Sequence, residues 1–310
     1  MSLWFNRIGS DKWNGHLIAG PCAYEGYDHA CFMLDNILPI CVDNRINLLY
    51  KTSFDKANRT SADSFRGAEN ALKDFGKIKK EFGIEICSDV HEPWQITGMD
   101  NVNVIQIPAF LCRQTDLLKA AAVSGRPVMV KKGQFLSPKD MKNVAKKLES
   151  FGCERIILAE RGTMFGYNNL VVDFRSIPIM QETGHKVCID ATHSTQMPGG
   201  NGESSGGDSQ YAKYMMRNGL ICGADIVFAE VHNDPFDAPS DSETQLDIEE
   251  FKEFVGEIHE TYALGRKFKE TSTRSRHDQS AFKDYDIQKK TKKNIPKDAK
   301  SLRKKEIKKR

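Results

Sequence analysis

The sequence has no apolar run long enough to cross a membrane, since no such stretch approaches the roughly 20 residues that a spanning helix needs. Its first residues, MSLWFNRIGSDKW, contain no apolar core of a secretory signal. None of its eight cysteines forms a C-x-x-C pair, and five lie in or beside apolar segments: Cys87, Cys112, Cys153, Cys188 and Cys222. These absences predict reduced thiols and a cytoplasmic protein without a membrane span.

Acidic and large apolar residues are scarce in the last part of the chain. Residues 266–310 contain 18 Lys and Arg against 6 Asp and Glu, whereas the preceding residues contain 27 against 36. A segment of this composition buries too little apolar surface to offset the entropy lost on ordering. We therefore predict two parts: a catalytic domain over residues 1–265 and a basic, low-complexity tail over residues 266–310 that is disordered or weakly helical.

Eight short apolar segments recur along the first part, and amphipathic stretches of helical length separate them. They cover residues 17–24, 47–54, 84–90, 104–111, 127–133, 155–162, 186–194 and 225–232. Continuous apolar runs are typical of strands buried on both faces. No G-x-G-x-x-G follows the first segment, which disfavours an open dinucleotide-binding sheet. The pattern predicts an α/β fold, a (β/α)8 TIM barrel, with residues 4–16 as a short N-terminal extension that forms a hairpin or a plug.

Cationic side chains cluster where several predicted strands end. Active sites of such barrels lie at the C-terminal ends of the strands, so these residues are expected to share one mouth. They are Lys51 and the following Lys56, Asn58 and Arg59 after the second strand, Lys131 and Lys132 after the fifth, and Arg161 after the sixth. A solvated charged loop is the alternative for any one of them, but convergence from separate strands predicts an anion-binding site.

Potential metal ligands occur at the ends of the first, seventh and eighth strands. Barrel closure makes the eighth strand a neighbour of the first, so these strand ends should be adjacent. The residues are Cys22, His193, Glu230 and, in the loop after the eighth strand, Asp241. Thiolate, imidazole and carboxylate groups around one point predict a divalent transition metal. The glycine-rich loop at 197–209 is either a surface linker or a lid, and its position at the same mouth favours the lid.

Several long motifs resemble one enzyme family. They are KTSFDKANRTSADSFRG, SDVHEP, QIPAFLCRQTDL, VKKGQFLSP, ERGTMFGYNNLVVD and DATHS. Together they are similar to 3-deoxy-D-manno-octulosonate 8-phosphate synthase, and the likeness runs from about residue 17 to about residue 263. The resemblance implies the condensation of phosphoenolpyruvate with D-arabinose 5-phosphate, on the route to the lipopolysaccharide inner core.

The same resemblance implies roles for individual residues. Those at the phosphoenolpyruvate site are Lys51, Gln106, Ala109, Lys131 and Arg161, with Lys56 near both substrates. Those at the sugar phosphate site are Asn58, Arg59, Asp89 and Phe110, together with Thr60, which stands where the family usually has serine. We expect Lys51, Lys56, His193 and Asp241 to act in catalysis.

The family has metal-dependent and metal-independent members, and the latter carry asparagine where this chain has Cys22. The chain therefore resembles the metal-dependent class, with Fe²⁺, Zn²⁺ and Mn²⁺ all open as the ion. The resemblance also implies a homotetramer. Two alternatives stay open at this point: a heptulosonate phosphate synthase acting on erythrose 4-phosphate, and an inactive barrel that binds polyanions through its basic tail. The heptulosonate enzymes typically have Arg-Pro-Arg-Thr where this chain has Lys-Ala-Asn-Arg, at residues 56–59.

Overall fold

A computed structural model describes residues 2–57, 66–67, 70–164, 169–198 and 206–278, with side chains as far as residue 270. Eight parallel strands form a closed barrel in which each strand pairs with its neighbour in the chain and the last pairs with the first. The strands are β1 (Gly15–Gly20), β2 (Ile46–Lys51), β3 (Ile86–Asp89), β4 (Val104–Ile107), β5 (Val128–Lys131), β6 (Ile156–Glu160), β7 (Lys186–Asp190) and β8 (Ile226–Glu230). The predicted (β/α)8 TIM barrel is confirmed.

One short helix precedes β1, and the other helices lie between or after the strands and surround the barrel. They are α1 (Leu3–Asn6), α2 (Tyr27–Asp43), α3 (Ala71–Phe82), α4 (Thr115–Val123), α5 (Met141–Ser150), α6 (Ser176–Gln181), α7 (Ala212–Ile221) and α8 (Ile248–Asp278). Short 3-10 helices include Pro93–Gly98, Ala109–Leu111 and His193–Thr195 in the loops at the C-terminal ends of strands. Within the described ranges, none of the helices combines the length and the apolar character of a membrane span.

Both faces of the barrel strands are buried, but against different partners. Alternate side chains fill the interior: Ile18, Leu49, Cys87, Val104, Met129, Ile157, Cys188, Ile226 and Phe228. The residues between them pack outward against helices, as Leu48 and Val128 do within the larger cluster that contains Phe75 and Leu148. Burial of both faces explains why the strand segments read as continuous apolar runs.

The N-terminal extension is a plug. Trp4 of α1 and the nearby Ile8 are buried among the interior side chains of the barrel. The Trp4 indole Nε1 donates to the carbonyl oxygen of Asn47 at 2.8 Å, which gives the buried ring a partner for its polar edge. The extension is therefore a short helix that closes the floor of the barrel, and of the two predicted forms the hairpin is not formed.

Several predicted boundaries differ from those observed. The first predicted strand extends to residue 24, whereas β1 ends at Gly20, and the segment after it pairs only through an isolated bridge between Ala23 and Ser53. Helix α8 continues through the predicted boundary at residues 265–266, and residues up to Phe268 form one compact unit. The division into a domain over residues 1–265 and a tail stays a prediction, and residues 279–310 lie outside the described part.

Candidate active site

A layer of polar side chains caps the apolar interior at the C-terminal ends of the strands. Each member lies two residues beyond an interior apolar residue and therefore faces the same way. All are buried: Lys51, Asp89, Gln106, Lys131, Asp190 and Glu230. In β1 the corresponding residue is Gly20, where a Cβ would collide with the carbonyl oxygen of Lys51. The mouth of the barrel thus concentrates cations and carboxylates in a site closed from below.

Lys51 ends β2 and is 1% exposed. Its Nζ donates to Ser53 Oγ at 2.6 Å and lies 3.7 Å from both Asp89 Oδ1 and Glu230 Oε1. Burial favours the neutral amine, but the two carboxylates outweigh burial and hold the pKa of Lys51 above its ordinary value. Lys51 is consequently a cation at neutral pH, and neither carboxylate is in hydrogen-bond contact with it.

Lys131 ends β5 and is held by three groups. Its Nζ forms an ion pair with Asp190, lies 3.5 Å from His193 Nδ1 and sits 3.2 Å from the centroid of the Phe228 ring. Burial lowers the pKa of Lys131 against the opposing pull of Asp190 and Glu230. Burial also disfavours a charged Asp190, but His193 and Lys131 hold its pKa well below the usual range. Asp190 therefore fixes both Lys131 and His193 at the mouth.

Arg161 and Lys132 are neighbours of the mouth that face opposite ways. Arg161 follows β6 and lies two residues beyond the interior Ala159; its Nη2 donates to Gln196 Oε1 and, at 3.4 Å, to the His193 carbonyl oxygen. Lys132 lies on the other side of the barrel wall, with its Nζ 3.4 Å from Glu160 Oε1 and 3.2 Å from the Gly162 carbonyl oxygen. Alternation along the strands thus leaves Lys131 and Arg161 in the mouth and gives Lys132 a structural role.

Beside Lys51, the ends of β3 and β4 supply polar atoms without partners. Within the described part of the chain, Asp89 Oδ1, both ring nitrogens of His91 and Gln106 Oε1 are buried and lack a hydrogen-bond partner. Buried polar atoms nearly always have a hydrogen-bond partner, so a group of buried atoms without one marks a place where a polar ligand can bind. Burial opposes the charged form of Asp89, but Lys51 and then the buried Lys56 hold its pKa below the usual range.

The predicted metal ligands Cys22, Glu230 and Asp241 meet on the other side of Lys51. One donor atom from each lies within 4.8 Å of the other two, and Cys22 Sγ donates to Asp241 Oδ2 at 2.8 Å. The pairing of Gly20 with Glu230 across β1 and β8 brings the first two together. Asp241 has a φ of 55°, a left-handed conformation that costs energy for a residue other than glycine.

The state of the Glu230 carboxylate fits a cation at this cluster. Glu230 is 1% exposed, and neither of its carboxylate oxygens has a hydrogen-bond partner among the described residues. A buried carboxylate is costly unless a cation or hydrogen bonds compensate it. A thiolate and two carboxylates suit a divalent transition ion, which would satisfy Glu230 and stabilise Cys22 as a thiolate.

His193 lies beside this cluster, outside the set of three. It begins the 3-10 helix His193–Thr195, and its Nδ1 is 3.0 Å from Asp190 Oδ2. Its Nε2 faces Glu230 Oε1 at 3.5 Å. Burial lowers the pKa of His193, with Asp190 and Glu230 opposing the shift. The ring is thus oriented by Asp190 so that its other nitrogen points toward Glu230.

The model of the DAHP synthetase I family matches residues 6–264. The chain belongs to the DAHP synthetase I family. Three similar curated proteins, each called 2-dehydro-3-deoxyphosphooctonate aldolase, come from Cyanothece sp., Rickettsia prowazekii and Desulfatibacillum aliphaticivorans. The Cyanothece protein is 49% identical over 245 residues, which cover 78% of this chain and 90% of that protein. The Rickettsia protein is 50% identical over 252 residues, which cover 80% of this chain and 91% of that protein. The Desulfatibacillum protein is 51% identical over 245 residues, which cover 78% of this chain and 90% of that protein.

Two glutamines hold loops of the mouth in this DAHP synthetase I family member, and neither was predicted as a site residue from the sequence. Gln196 accepts from Arg161 and donates through Nε2 to Asp241 Oδ1 at 2.7 Å. Gln245 accepts from the Cys22 backbone N–H at 3.0 Å. Site residues are predicted from the sequence by their charge or by their ability to bind a metal, and the neutral amides of Gln196 and Gln245 have neither property.

Other predicted residues are less enclosed or lie outside the described part. Ala109 is buried at the start of the 3-10 helix after β4, whereas the next residue, Phe110, is 58% exposed. Asn58, Arg59 and Thr60 lie outside the described residues, as do residues 199–205 of the predicted lid. The described ends of that loop, Gln196–Met197 and Gly206–Gly207, pair as two-residue antiparallel strands.

Proposed function

We propose that this chain condenses phosphoenolpyruvate with D-arabinose 5-phosphate and water, giving 3-deoxy-D-manno-octulosonate 8-phosphate and inorganic phosphate. The observation that carries the proposal is the mouth itself, where Lys51, Lys131 and Arg161 lie beside the cluster of Cys22, Glu230 and Asp241. The family and the name shared by relatives at about half identity, such as the Cyanothece and Rickettsia proteins, point to the same product.

Phosphoenolpyruvate carries a carboxylate and a phosphate, so it requires several fixed cations. Lys131 and Arg161 are assigned to its two anionic groups, and Lys51 to the side that faces the metal cluster. Arg161 offers two parallel N–H donors to one oxyanion, which a lysine cannot do. Gln106 and Ala109 border the same substrate, and Lys56 lies between the two substrates. Binding by separate strands would align C3 of the enolpyruvate with the sugar aldehyde.

The sugar phosphate is assigned to the β3 side of the mouth and to the loop after β2. Asp89 and its orphaned Oδ1 face this side, and Phe110 borders it from the 3-10 helix after β4. Asn58, Arg59 and Thr60 complete the assignment by resemblance alone. In the reaction, C3 of phosphoenolpyruvate bonds to the aldehyde carbon, water adds to C2, and the C2–O bond breaks to release phosphate.

A divalent ion is assigned to Cys22, Glu230 and Asp241, with His193 as the adjacent imidazole. When bound, such an ion polarises the aldehyde oxygen of the sugar. The mixed sulfur, oxygen and nitrogen donors suit Fe²⁺, Zn²⁺ or Mn²⁺. His193 and Asp241 are also the titratable groups placed to move the proton of the attacking water, since the first is oriented by Asp190 and the second is held by Gln196.

A coupled measurement of phosphate release with each aldose phosphate, with and without a chelator, tests the proposal. We expect turnover with arabinose 5-phosphate, little with erythrose 4-phosphate, and loss of turnover after chelation that Zn²⁺, Fe²⁺ or Mn²⁺ restores. Preference for erythrose 4-phosphate would favour the heptulosonate reaction named in the family description. Full activity after exhaustive chelation would refute the metal assignment.

The basic tail provides the test of the polyanion-binding alternative. Truncation after Asp278, where α8 ends, removes residues 279–310 and should leave turnover within about twofold of the full chain. A chain that binds polyanions but releases no phosphate would support the alternative. The same proposal places the enzyme in the cytoplasm. It also makes the enzyme a homotetramer, and light scattering on the purified chain would test this oligomeric state.

A further inference from the structure

A second group of metal-ligating side chains meets above the barrel mouth, between the segments that follow β1 and β8. It consists of Glu25, His29 in the first turn of α2, and His232 two residues after β8. One donor atom from each lies within 4.8 Å of the other two. Their side chains are 24%, 18% and 4% exposed, respectively, so the group is partly enclosed yet reachable from solvent. None of the three belongs to the cluster of Cys22, Glu230 and Asp241.

The His29 ring presents a buried nitrogen that has no donor facing it. Its Nε2 lies 2.8 Å from Asn233 Oδ1, and because an amide oxygen only accepts, Nε2 carries the ring proton. Nδ1 of the neutral ring then has a lone pair. Among the described residues this nitrogen is buried without a hydrogen-bond partner, and the atom of Glu25 that it faces is a carboxylate oxygen at 3.7 Å. Two acceptors that face each other at this distance leave room for a cation between them.

The His232 ring is oriented in the same manner. Its Nδ1 lies 2.6 Å from the Asp234 carbonyl oxygen and 3.1 Å from the Asp234 backbone nitrogen, and the shorter contact favours Nδ1 as a proton donor. Its Nε2 points at the same Glu25 oxygen, Oε1, at 2.7 Å. A second proton on His232 would satisfy this one contact, but it would leave His29 Nδ1 unsatisfied. A metal ion satisfies both rings and the carboxylate together.

We propose that Glu25, His29 and His232 form a second divalent metal site. Each histidine binds through the nitrogen that faces Glu25, and its other nitrogen is anchored by an oxygen of the loop at Asn233 and Asp234. Metal-binding histidines almost always have such an outer hydrogen bond, which sets the tautomer and the ring orientation. Two imidazoles and one carboxylate suit a zinc-class transition ion, with further positions open to water, and they do not suit Mg²⁺ or Ca²⁺.

The position of this site links it to the first cluster. Glu25 is three residues after Cys22, and His232 is two residues after Glu230. An ion shared by Glu25 and His232 therefore clamps together the two segments that supply the thiol and one carboxylate of the active-site cluster. Occupancy of the second site should raise the thermal stability of the chain, because the ion binds the folded form.

Titration with Co²⁺ distinguishes the two sites, because a bound thiolate gives cobalt an intense charge-transfer absorption that histidine and carboxylate ligands do not. The full chain is stripped of metal, and bound Co²⁺ is counted by equilibrium dialysis while the absorption is recorded. We expect two equivalents, of which only one carries the thiolate band. His29→Ala should remove one equivalent and retain the band. Asn233→Ala should weaken the band-free equivalent by about 10- to 100-fold.

The comparison is repeated in a Cys22→Ser background, so that its outcome does not depend on the first cluster. There, His29→Ala or the size-preserving Glu25→Gln should again remove one equivalent. The control is His259→Ala, since His259 is exposed on α8 and far along the chain from the three ligands. The same stoichiometry with and without His29 and with and without the Glu25 carboxylate would overturn the proposal. So would loss of an equivalent in the His259→Ala control.

Discussion

The floor and the mouth of the barrel both bury polar side chains, but they pair them differently. At the floor, the half-buried Glu85 carboxylate accepts from Ser2 Oγ and from the Trp4 N–H, each at 2.7 Å. His16 Nε2 accepts from the Gly9 N–H at 3.0 Å. At the mouth, both oxygens of Glu230 and one of Asp89 have no hydrogen-bond partner within the described chain.

This difference separates polar groups that stabilise the fold from polar groups that await a ligand. A carboxylate with several hydrogen-bond donors contributes to stability, whereas a buried carboxylate without donors costs free energy until something binds it. Glu85 and His16 at the floor thus have protein partners, although Arg126 Nη1 and Arg155 Nη1 before β5 and β6 have none within the described chain. At the mouth, the proposed substrates and cation would supply the partners that Glu230 and Asp89 lack. Changes at the floor should alter stability alone, and changes at the mouth should mainly alter binding and turnover.

The largest stability effect is expected from the floor. Trp4→Ala removes a buried indole from the barrel interior and leaves a cavity, so it should lower the free energy of unfolding by about 3–5 kcal/mol. KM for both substrates should stay within about twofold, because the indole lies at the opposite end of the barrel from the mouth. Urea denaturation followed by circular dichroism, together with steady-state kinetics, measures both quantities.

The neighbouring Leu3→Ala is the matched control for Trp4→Ala. Leu3 is 61% exposed on the same short helix, so its removal should change the free energy of unfolding by less than about 0.5 kcal/mol. A large rise in KM in Trp4→Ala, at a temperature where the variant is folded, would show that the floor and the mouth are coupled.

At the mouth, Arg161→Lys keeps the charge and removes the planar pair of donors. We expect kcat/KM for phosphoenolpyruvate to fall by about 10²- to 10³-fold, the usual cost of losing one fixed oxyanion donor. The matched control is Arg175→Lys, because Arg175 forms an exposed pair with Asp173 at 2.7 Å away from the site. Similar kinetics in the two variants would remove Arg161 from the proposed substrate contacts.

A residue of the floor, His16, should also make the stability of the chain depend on pH. Burial lowers the pKa of His16 to about 4, so the folded chain resists a proton that the unfolded chain binds near pH 6.5. Stability should therefore fall as the pH drops from about 6.5 to about 4, by roughly 3 kcal/mol from this residue. His91 and His193 shift in the same direction, so the contribution of His16 must be isolated by substitution.

The substitution His16→Gln isolates the contribution of His16 to this pH dependence, because the amide oxygen can accept from the Gly9 N–H without taking up a proton. The difference in unfolding free energy between pH 7 and pH 4.5 should shrink in this variant. In the exposed control His259→Gln it should not change. An unchanged pH dependence in His16→Gln would mean that His16 is charged or solvated at the floor.

The contrast between floor and mouth also explains what the sequence could predict. The number and spacing of apolar segments predicted a closed barrel, and closure then brought together the strand ends that carry Cys22, Glu230 and Lys51. Strand alternation could also have assigned Lys132 to the outer face, since it follows Lys131 directly. Successive side chains of a strand point to opposite faces, so Lys131 and Lys132 cannot both face the mouth.

Features that depend on side-chain pairing could not be predicted in this way. Gln196 connects Arg161 with Asp241, and Gln245 holds the Cys22 backbone, through loops whose geometry has no sequence period. The short helix at the floor has too few residues for a helical pattern, and its stability comes from Glu85, which lies far away in the chain. The lack of hydrogen-bond partners for the Glu230 carboxylate is likewise a property of the folded arrangement, and the sequence alone does not predict it.

The smallest effect comes from backbone strain, and it tests the same contrast. Arg45 and Asp241 are the two non-glycine residues with positive φ in the described chain, at 54° and 55°. Arg45 lies in the turn before β2 near the floor, and Asp241 lies at the mouth. Arg45→Gly should raise the free energy of unfolding by about 1 kcal/mol and leave turnover unchanged, because glycine adopts this conformation without strain.

Asp241→Gly relieves the same strain but also removes an acceptor from Gln196 at 2.7 Å and from Cys22 at 2.8 Å. We expect its stability to change by less than that of Arg45→Gly and its bound metal and turnover to be lost. Metal analysis, denaturation and kinetics on the two variants give a direct comparison. If Asp241→Gly kept its metal and its turnover, the strained backbone at the mouth would be as incidental to function as the strained turn at the floor.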